Sequence, residues 1–387
     1  MTRFSLPERF SMSRDMKLIA VFTTAALLCA STLTVHLATA QGPPVQTVEA
    51  HVDVGSDGRL SIQFLGDTML GDGAQPKLNR NGYDWPFQPG VKAALDGDFV
   101  IANSEAAFTH RTKPFIGSKE YFYASDPTAI GALQRVGIDA LSLDNNHSMD
   151  AGPAGLTDSL TFLADGSMPS FGAGPSLQRA ERPLMLRSAA GTVGIVGLGE
   201  DFGSSIRAED AQAGTVVFSP ETVQRGVDQA RADGADWVIA FVHWGDNYMP
   251  INSQQRYWAR LMVDAGYDMV IGTGPHVAQK IGFIDGVPIV YSLGNFVFGA
   301  PGRFAEYNKS GHGLLVSAEL SQTDGISLGV RCLITDNELV QFQPTMCSTK
   351  QSSRFLPQIN STMVINGNQG VVGAPHSGSV SGAALDR

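Results

Sequence analysis

The sequence predicts an α/β fold, layered and built on mixed sheets, and three patterns carry that reading. Apolar, β-prone runs at residues 60–65, 98–103, 138–143, 237–242 and 267–272 each end in a polar loop. Helical stretches separate most of these runs, and such alternation is the signature of parallel strands whose carboxyl edge collects the loops. After residue 276 the alternation stops. Residues 280–284 and 287–290 flank Asp285-Gly286, a hairpin signal, and 312–320 with 326–334 read as closing antiparallel strands.

Residues 1–40 read as an address. Arg3, Arg9, Arg14 and Lys17 precede an uncharged, largely apolar run at 18–35, and Ala38-Thr39-Ala40 suits a small-residue cleavage site. That run is equally long enough to stay as an anchor, since ~17–25 residues cross a bilayer. Either outcome puts the rest of the protein outside the cytoplasm, in the periplasm or on the outer face of the membrane. Residues 41–59 read as a lead-in and 60–350 as the domain. Residues 351–387, rich in Ser, Gly, Asn and Gln, read as a weakly ordered polar tail.

The formal charge of -10 and the lack of a long basic run exclude general nucleic-acid binding. An anionic substrate would have to be gripped by a local positive site or a metal. Cys29 lies in the leader; Cys332 and Cys347 form either a disulfide or two buried thiols.

Taken in order, the strand at 60–65 delivers Gly66-Asp67, and the strand at 98–103 delivers Glu105 two residues on. A stretch at 109–127 interleaves His110, Arg111, Lys113 and Lys119 with aromatics. It is either a basic loop able to hold a carboxylate or phosphate, or a solvated loop covering the core. The strand at 138–143 runs into Asp144-Asn145-Asn146-His147-Ser148-Met149-Asp150, ahead of a helix at 155–164. Asn146 can coordinate a divalent ion through its carbonyl oxygen, and His147 can donate to a substrate oxygen or protonate a leaving group. Asp150 either caps the helix or holds the His147 ring.

Residues 171–174, Phe-Gly-Ala-Gly, lack the length and the lysine of a phosphate loop. An irregular excursion at 199–218 is placed to line one side of a cleft. The buried run 237–242 delivers His243, a helix at 253–265 crosses over, and 267–272 leads to Gly274-Pro275-His276. Asp67, Glu105, Asn146, His243 and His276 form a hard oxygen-and-nitrogen set suited to a divalent metal: Mn, Zn, Fe or Mg. Metal-free acid–base hydrolysis by the two carboxylates is the alternative. Asn295, just past the strand at 287–290, either steadies the site or binds substrate.

These residues lie in stretches that resemble the bacterial capsule and poly-γ-glutamate synthesis proteins. The matching pieces are GDTMLG (66–71), NSEAAFT (103–109), RTKPFIG (111–117), NNHSMDAG (145–152), VHWGDNY (242–248), GPHVAQ (274–279) and YSLGNFVF (291–298). The resemblance implies a four-layer α/β/β/α sandwich similar to that of calcineurin-like metallophosphoesterases. It also implies an envelope protein that makes, exports or attaches an anionic polymer or capsule precursor, alongside membrane-bound synthesis or export machinery.

Carried over by position, Asp67, Glu105 and His276 would form one metal site, with Asn146 and His243 contributing to a second. His147 would stand where phosphoesterases keep the histidine that serves the leaving oxygen. Because the chain is acidic, the grip on an anionic polymer would fall to the metal with Arg111, Lys113 and Lys119, whose loop follows Glu105 closely enough to fold over the cleft. Two departures stand out: Gly274 occupies the first place of what the family usually reads as His-Pro-His, and Met69 the place of a phosphoesterase histidine. The functions that follow are metal-dependent hydrolysis or transfer on the polymer, non-catalytic polymer binding, or phosphoester hydrolysis.

Overall fold

Leu60–Met69 is buried at every position but one, and Phe99–Ser104 and Trp237–His243 are buried throughout. A strand apolar on both faces must be covered on both, and this requirement sets the layering. The computed structural model describes residues 48–54, 58–115 and 121–373.

Most strands fall into two mixed sheets, and two short pairs stand apart from them. In the first, Leu60–Met69, Phe99–Ser104, Ala140–Ser142 and Ser170–Phe171 run parallel. His312–Ser321 and Gly325–Ile334 extend it antiparallel on the other side. In the second, Gly191–Gly199, Trp237–His243, Met269–Thr273 and Val287–Val290 run parallel. Ile281–Ile284 closes one edge as an antiparallel hairpin through Asp285 and Gly286, both at positive φ.

The sheets pack face to face through Ile62, Phe64, Ile101, Ile195, Phe241 and Ile271. Outside the first sheet, Thr128–Val136 and Gly152–Asp165 lay Ile130, Leu133 and Leu156 on Val100 and Leu141. Outside the second, Pro220–Ala232 and Ser253–Ala265 lay Val223, Val227 and Met262 on Val196 and Val238. The order is α/β/β/α. Reciprocal caps, Ser219 with Thr222 and Asn252 with Gln255, fix where the latter two helices begin.

Three expectations change. The parallel strands do not share one sheet: alternation identifies strands and crossovers, but not the point at which the chain leaves one sheet for another. It does so at Leu184–Ser188, which pairs antiparallel with Gly191–Gly199 and starts the second sheet. The lead-in holds an edge strand, Glu49–His51, parallel to Leu184–Ser188.

The supposed tail from 351 is structured as far as Gly373. Thr349–Ile359 is a helix with a Ser348/Gln351 capping box that buries Phe355, Leu356 and Ile359, and Gln369–Gly373 pairs with Gly325–Ile334. Composition averages over a polar helix face and so hides three apolar residues on the other. The leader at 1–40 and the end of the tail lie outside the described residues. Among the described residues no helix is long and apolar enough to cross a membrane.

Cys332 and Cys347 are bonded, with Cα atoms 5.5 Å apart and a separation of 15 positions in sequence. The bond ties the Gly325–Ile334 strand to the segment leading into the last helix. Replacing both cysteines by serine should lower stability by about 3 kcal/mol, the loop-closure value for this length. Urea unfolding checks it, and an unchanged midpoint would contradict it.

Candidate metal centre

Both sheets contribute to one buried cluster. Asp67 ends the core of the Leu60–Met69 strand, and its N–H donates to Gly294 O at 3.0 Å. Glu105 follows Phe99–Ser104, with its N–H on Thr68 O at 2.9 Å. His276 stands after Met269–Thr273, in a left-handed conformation at φ 59°. These three, all buried, offer ligand atoms that lie within 4.8 Å of one another.

His276 Nδ1 donates to Asn295 Oδ1 at 2.9 Å and lies 3.2 Å from Asp67 Oδ2, while its Nε2 faces Glu105 Oε1 at 3.7 Å. Asn295 thus orients an imidazole, as outer partners of metal-binding histidines do. Asn103 donates to Asp67 Oδ1 at 2.8 Å and in turn accepts from Asn145 at 3.0 Å. His243 lies 3.9 Å from both Asp67 Oδ1 and Glu105 Oε1.

Gly274 explains the missing imidazole of the His-Pro-His pattern. Its φ is 110°, a Cβ there would sit 2.6 Å from Trp244 O, and its N–H reaches Asp67 Oδ2 at 3.3 Å. Backbone closeness to Asp67 takes the place of a side chain.

The electrostatics suit a cation. Burial pushes the Glu105 carboxyl well above its ordinary range, and the neighbouring Asp67 and Asp150 charges add to this against the pull of His276. Glu105 Oε2 is buried and accepts no hydrogen bond. Burial alone would also raise Asp67, but the bond to His276 and the two imidazoles outweigh it and hold Asp67 below its usual value. Burial works against a charged His276; Glu105 and Asp67 overcome it and bring it up to about 9.

In the metal-free protein, His276 therefore adds stability that is complete below its unfolded value of ~6.5 and is lost as pH climbs through about 9. Two buried carboxylates with no Lys or Arg beside them among the described residues, Asp67 held by His276, Asn103 and the Gly274 N–H and Glu105 left with an orphaned oxygen, fit a hard divalent ion through an O, O, N donor set.

His147 lies beside the cluster. Its Nδ1 donates to Asp150 Oδ2 at 2.7 Å, its Nε2 points toward Glu105 Oε1 at 3.9 Å, and Tyr123 stacks on it at 4.2 Å. Asp150 holds the ring and also accepts from Tyr123 N; the helix N-cap is Ala151 and receives no side-chain bond. Half-buried Asn146 lines, with His147, His276, Tyr123 and Tyr248, an adjoining cavity of about 410 Å³.

Among the described residues, neither Arg111 nor Lys113 of the basic loop supplies a cation to this cavity. Arg111 is exposed and bound to Asp158 at 2.8 Å, which anchors it to the Gly152–Asp165 helix. Lys113 is exposed and does not line the cavity, and Lys119 lies outside the described residues. Arg303 fills that place, with its guanidinium 5.4 Å from the ring centres of both Tyr248 and Tyr307. Sequence reasoning missed it, because it stands in an irregular loop. Within the excursion at 199–218, the Phe202 ring lies 6.0 Å from that of His243.

Residues 61–300 match the family described as bacterial capsule synthesis protein PGA_cap. The chain is similar to the PGA biosynthesis protein CapA of Bacillus subtilis, 32% identical over 63% of this chain and 64% of that protein. It is also similar to the capsule biosynthesis protein CapA of Bacillus anthracis, 28% identical over 62% of this chain and 60% of that one. The match therefore spans less than two thirds of either relative. Among solved structures, Haemophilus influenzae NAD nucleotidase is similar at 13% identity and a TM-score of 0.39, covering 79% of this chain and 56% of that one.

Proposed function

This chain belongs to the bacterial capsule synthesis protein family, and from that membership together with its buried acid–imidazole cluster we propose a metal-dependent hydrolase or transferase acting on an anionic envelope polymer of the poly-γ-glutamate type. It would work outside the cytoplasm, in the synthesis, export or attachment of that polymer. The observation that carries the reading is the orphaned Glu105 oxygen in a three-ligand cluster beside a cavity of substrate size.

When bound at Asp67, Glu105 and His276, a divalent cation supplies Lewis acidity, drawing electron density from an amide or phosphoryl oxygen and easing the deprotonation of water. His243, 3.9 Å from Asp67 and Glu105, would assist in holding it, and Asn146, which lines the adjoining cavity, would offer its amide oxygen. The chain's own residues do the rest. Asp150 fixes His147 Nδ1, which leaves Nε2 turned into the site to hold a proton for the departing nitrogen or oxygen. Arg303, kept in place by two tyrosine rings, offers a planar pair of donors to a carboxylate. Tyr123, Phe298 and Tyr248 wall the cavity and limit water.

The test is to incubate the protein, loaded with manganese or zinc, with poly-γ-glutamate and to follow chain length and free amines. His147→Ala should slow product formation by about 10²–10⁴-fold while binding holds, the range for a lost general acid. Arg303→Ala should weaken binding instead. Equal turnover in His147→Ala would remove it from catalysis.

Gly274 favours a second reading, a polymer-binding protein without turnover, since it stands where an imidazole would complete a second metal site. Polymer binding and intact metal content with no product under any condition would select that reading. Activity only on a panel of phosphoesters would select a phosphoesterase.

A further inference from the structure

A second cavity, of about 440 Å³, is lined by residues next in sequence to those that line the metal cleft. Three chain segments place neighbouring residues on both: Tyr248 and Met249, His276 and Val277, and Arg303 with Lys309 in one loop. The floor is apolar, made of Val277, Phe355 and Ile359; the cations around it are Arg256, Lys280 and Lys309.

Among the described residues no acidic side chain lines this cavity, although Asp and Glu outnumber Lys and Arg by 37 to 27 in the chain. Elsewhere several arginines are taken up by carboxylates: Arg225 by Glu181, Arg231 by Asp268, Arg260 by Asp285. Among the described residues the three cations of this cavity carry no such partner.

We propose that this cavity is a second subsite for a polycarboxylate chain, holding a stretch of polymer next to the one engaged at the metal cleft. The inference rests on the function proposed above. A polyamide with one carboxylate per repeat and methylene groups between fits both halves of the lining: carboxylates meet Arg256, Lys280 and Lys309, and methylenes cover Val277, Phe355 and Ile359. Each solvent-screened charge contact is weak alone. Joined through the polymer to the cleft, the contacts act at high effective concentration, so binding should strengthen with chain length once both cavities are spanned.

The experiment compares a short γ-linked glutamate oligomer with long poly-γ-glutamate, by anisotropy at moderate salt, on the metal-loaded protein and on Arg256→Gln/Lys280→Gln/Lys309→Gln. The unmodified protein should bind the long chain about tenfold tighter or more, in line with three screened contacts. The triple variant should lose that advantage, keep its affinity for the short oligomer, and retain its metal content and melting temperature. A variant that still prefers the long chain, or an unmodified protein that binds both lengths equally, overturns the second subsite and leaves the proposed function standing. No binding of either length overturns the function itself, and the subsite with it. Equal competition by heparin or single-stranded DNA overturns the polycarboxylate assignment.

Discussion

Gly66→Ala is expected to unfold the site from beneath. A Cβ at Gly66 would lie 1.7 Å from Gly294 O, 2.8 Å from Gly294 C and 3.3 Å from Leu293 Cβ. The two nearest are backbone atoms and the third is a Cβ fixed to its own backbone, so no flexible side chain can swing aside to make room. The same carbonyl accepts the Asp67 N–H at 3.0 Å, so seating a methyl group breaks that bond and moves Asp67. Overpacking of this kind in a filled interior costs about 1–3 kcal/mol, and the lost hydrogen bond adds to it. The melting temperature should fall by several degrees, and metal content should fall with it. Gly90→Ala is the control, because nothing lies within 4 Å of a Cβ there. Equal melting temperature and metal content in both variants would show that the two backbones do not meet as described.

Asp67→Ala should reduce metal affinity by about 100-fold or more without unfolding the protein. The carboxylate is fully buried among His276 at 3.2 Å, His243 at 3.9 Å, Asn103 at 2.8 Å and the Gly274 N–H at 3.3 Å. Removing one member of a buried charged set costs about 3–5 kcal/mol, because its partners are left uncompensated. Asp67→Asn keeps the shape and removes the charge, and should behave like Asp67→Ala toward metal while preserving more stability. Elemental analysis and thermal melting of both variants check this; full metal content in either would remove Asp67 as a ligand.

The site was legible where a polar residue follows a fully buried apolar run, because such a run leaves no doubt that it is a strand or where it ends. Asp67, Glu105, His243 and His276 were found that way. Asn103 was passed over as a candidate because it lies inside the Phe99–Ser104 strand, where a buried amide looks like any other core position until its partners Asp67 and Asn145 are known. Arg303 carries no pattern at all; its place is set by stacking on Tyr248 and Tyr307, a contact made only by the fold. Arg111 of the basic loop is engaged elsewhere for a related reason. Charge in a sequence does not say which cation is already engaged, and Asp158 holds Arg111. Strand–helix alternation did not reveal the split into two sheets, which came only with the four-layer sandwich that the family resemblance implied; alternation marks strands and crossovers without saying which sheet a strand joins.

The most direct test of the metal centre is calorimetric titration of the stripped protein with Mn²⁺ or Zn²⁺ across a pH series in buffers of different ionisation heat. His276 is protonated below about 9 and Glu105 is held above its ordinary range, so an incoming cation must displace protons. The predicted result is saturable binding of a tight ion with net proton release, and an affinity that rises as pH climbs toward about 9. No saturable binding, or binding that releases no protons and is indifferent to pH, would contradict a centre built on Asp67, Glu105 and His276.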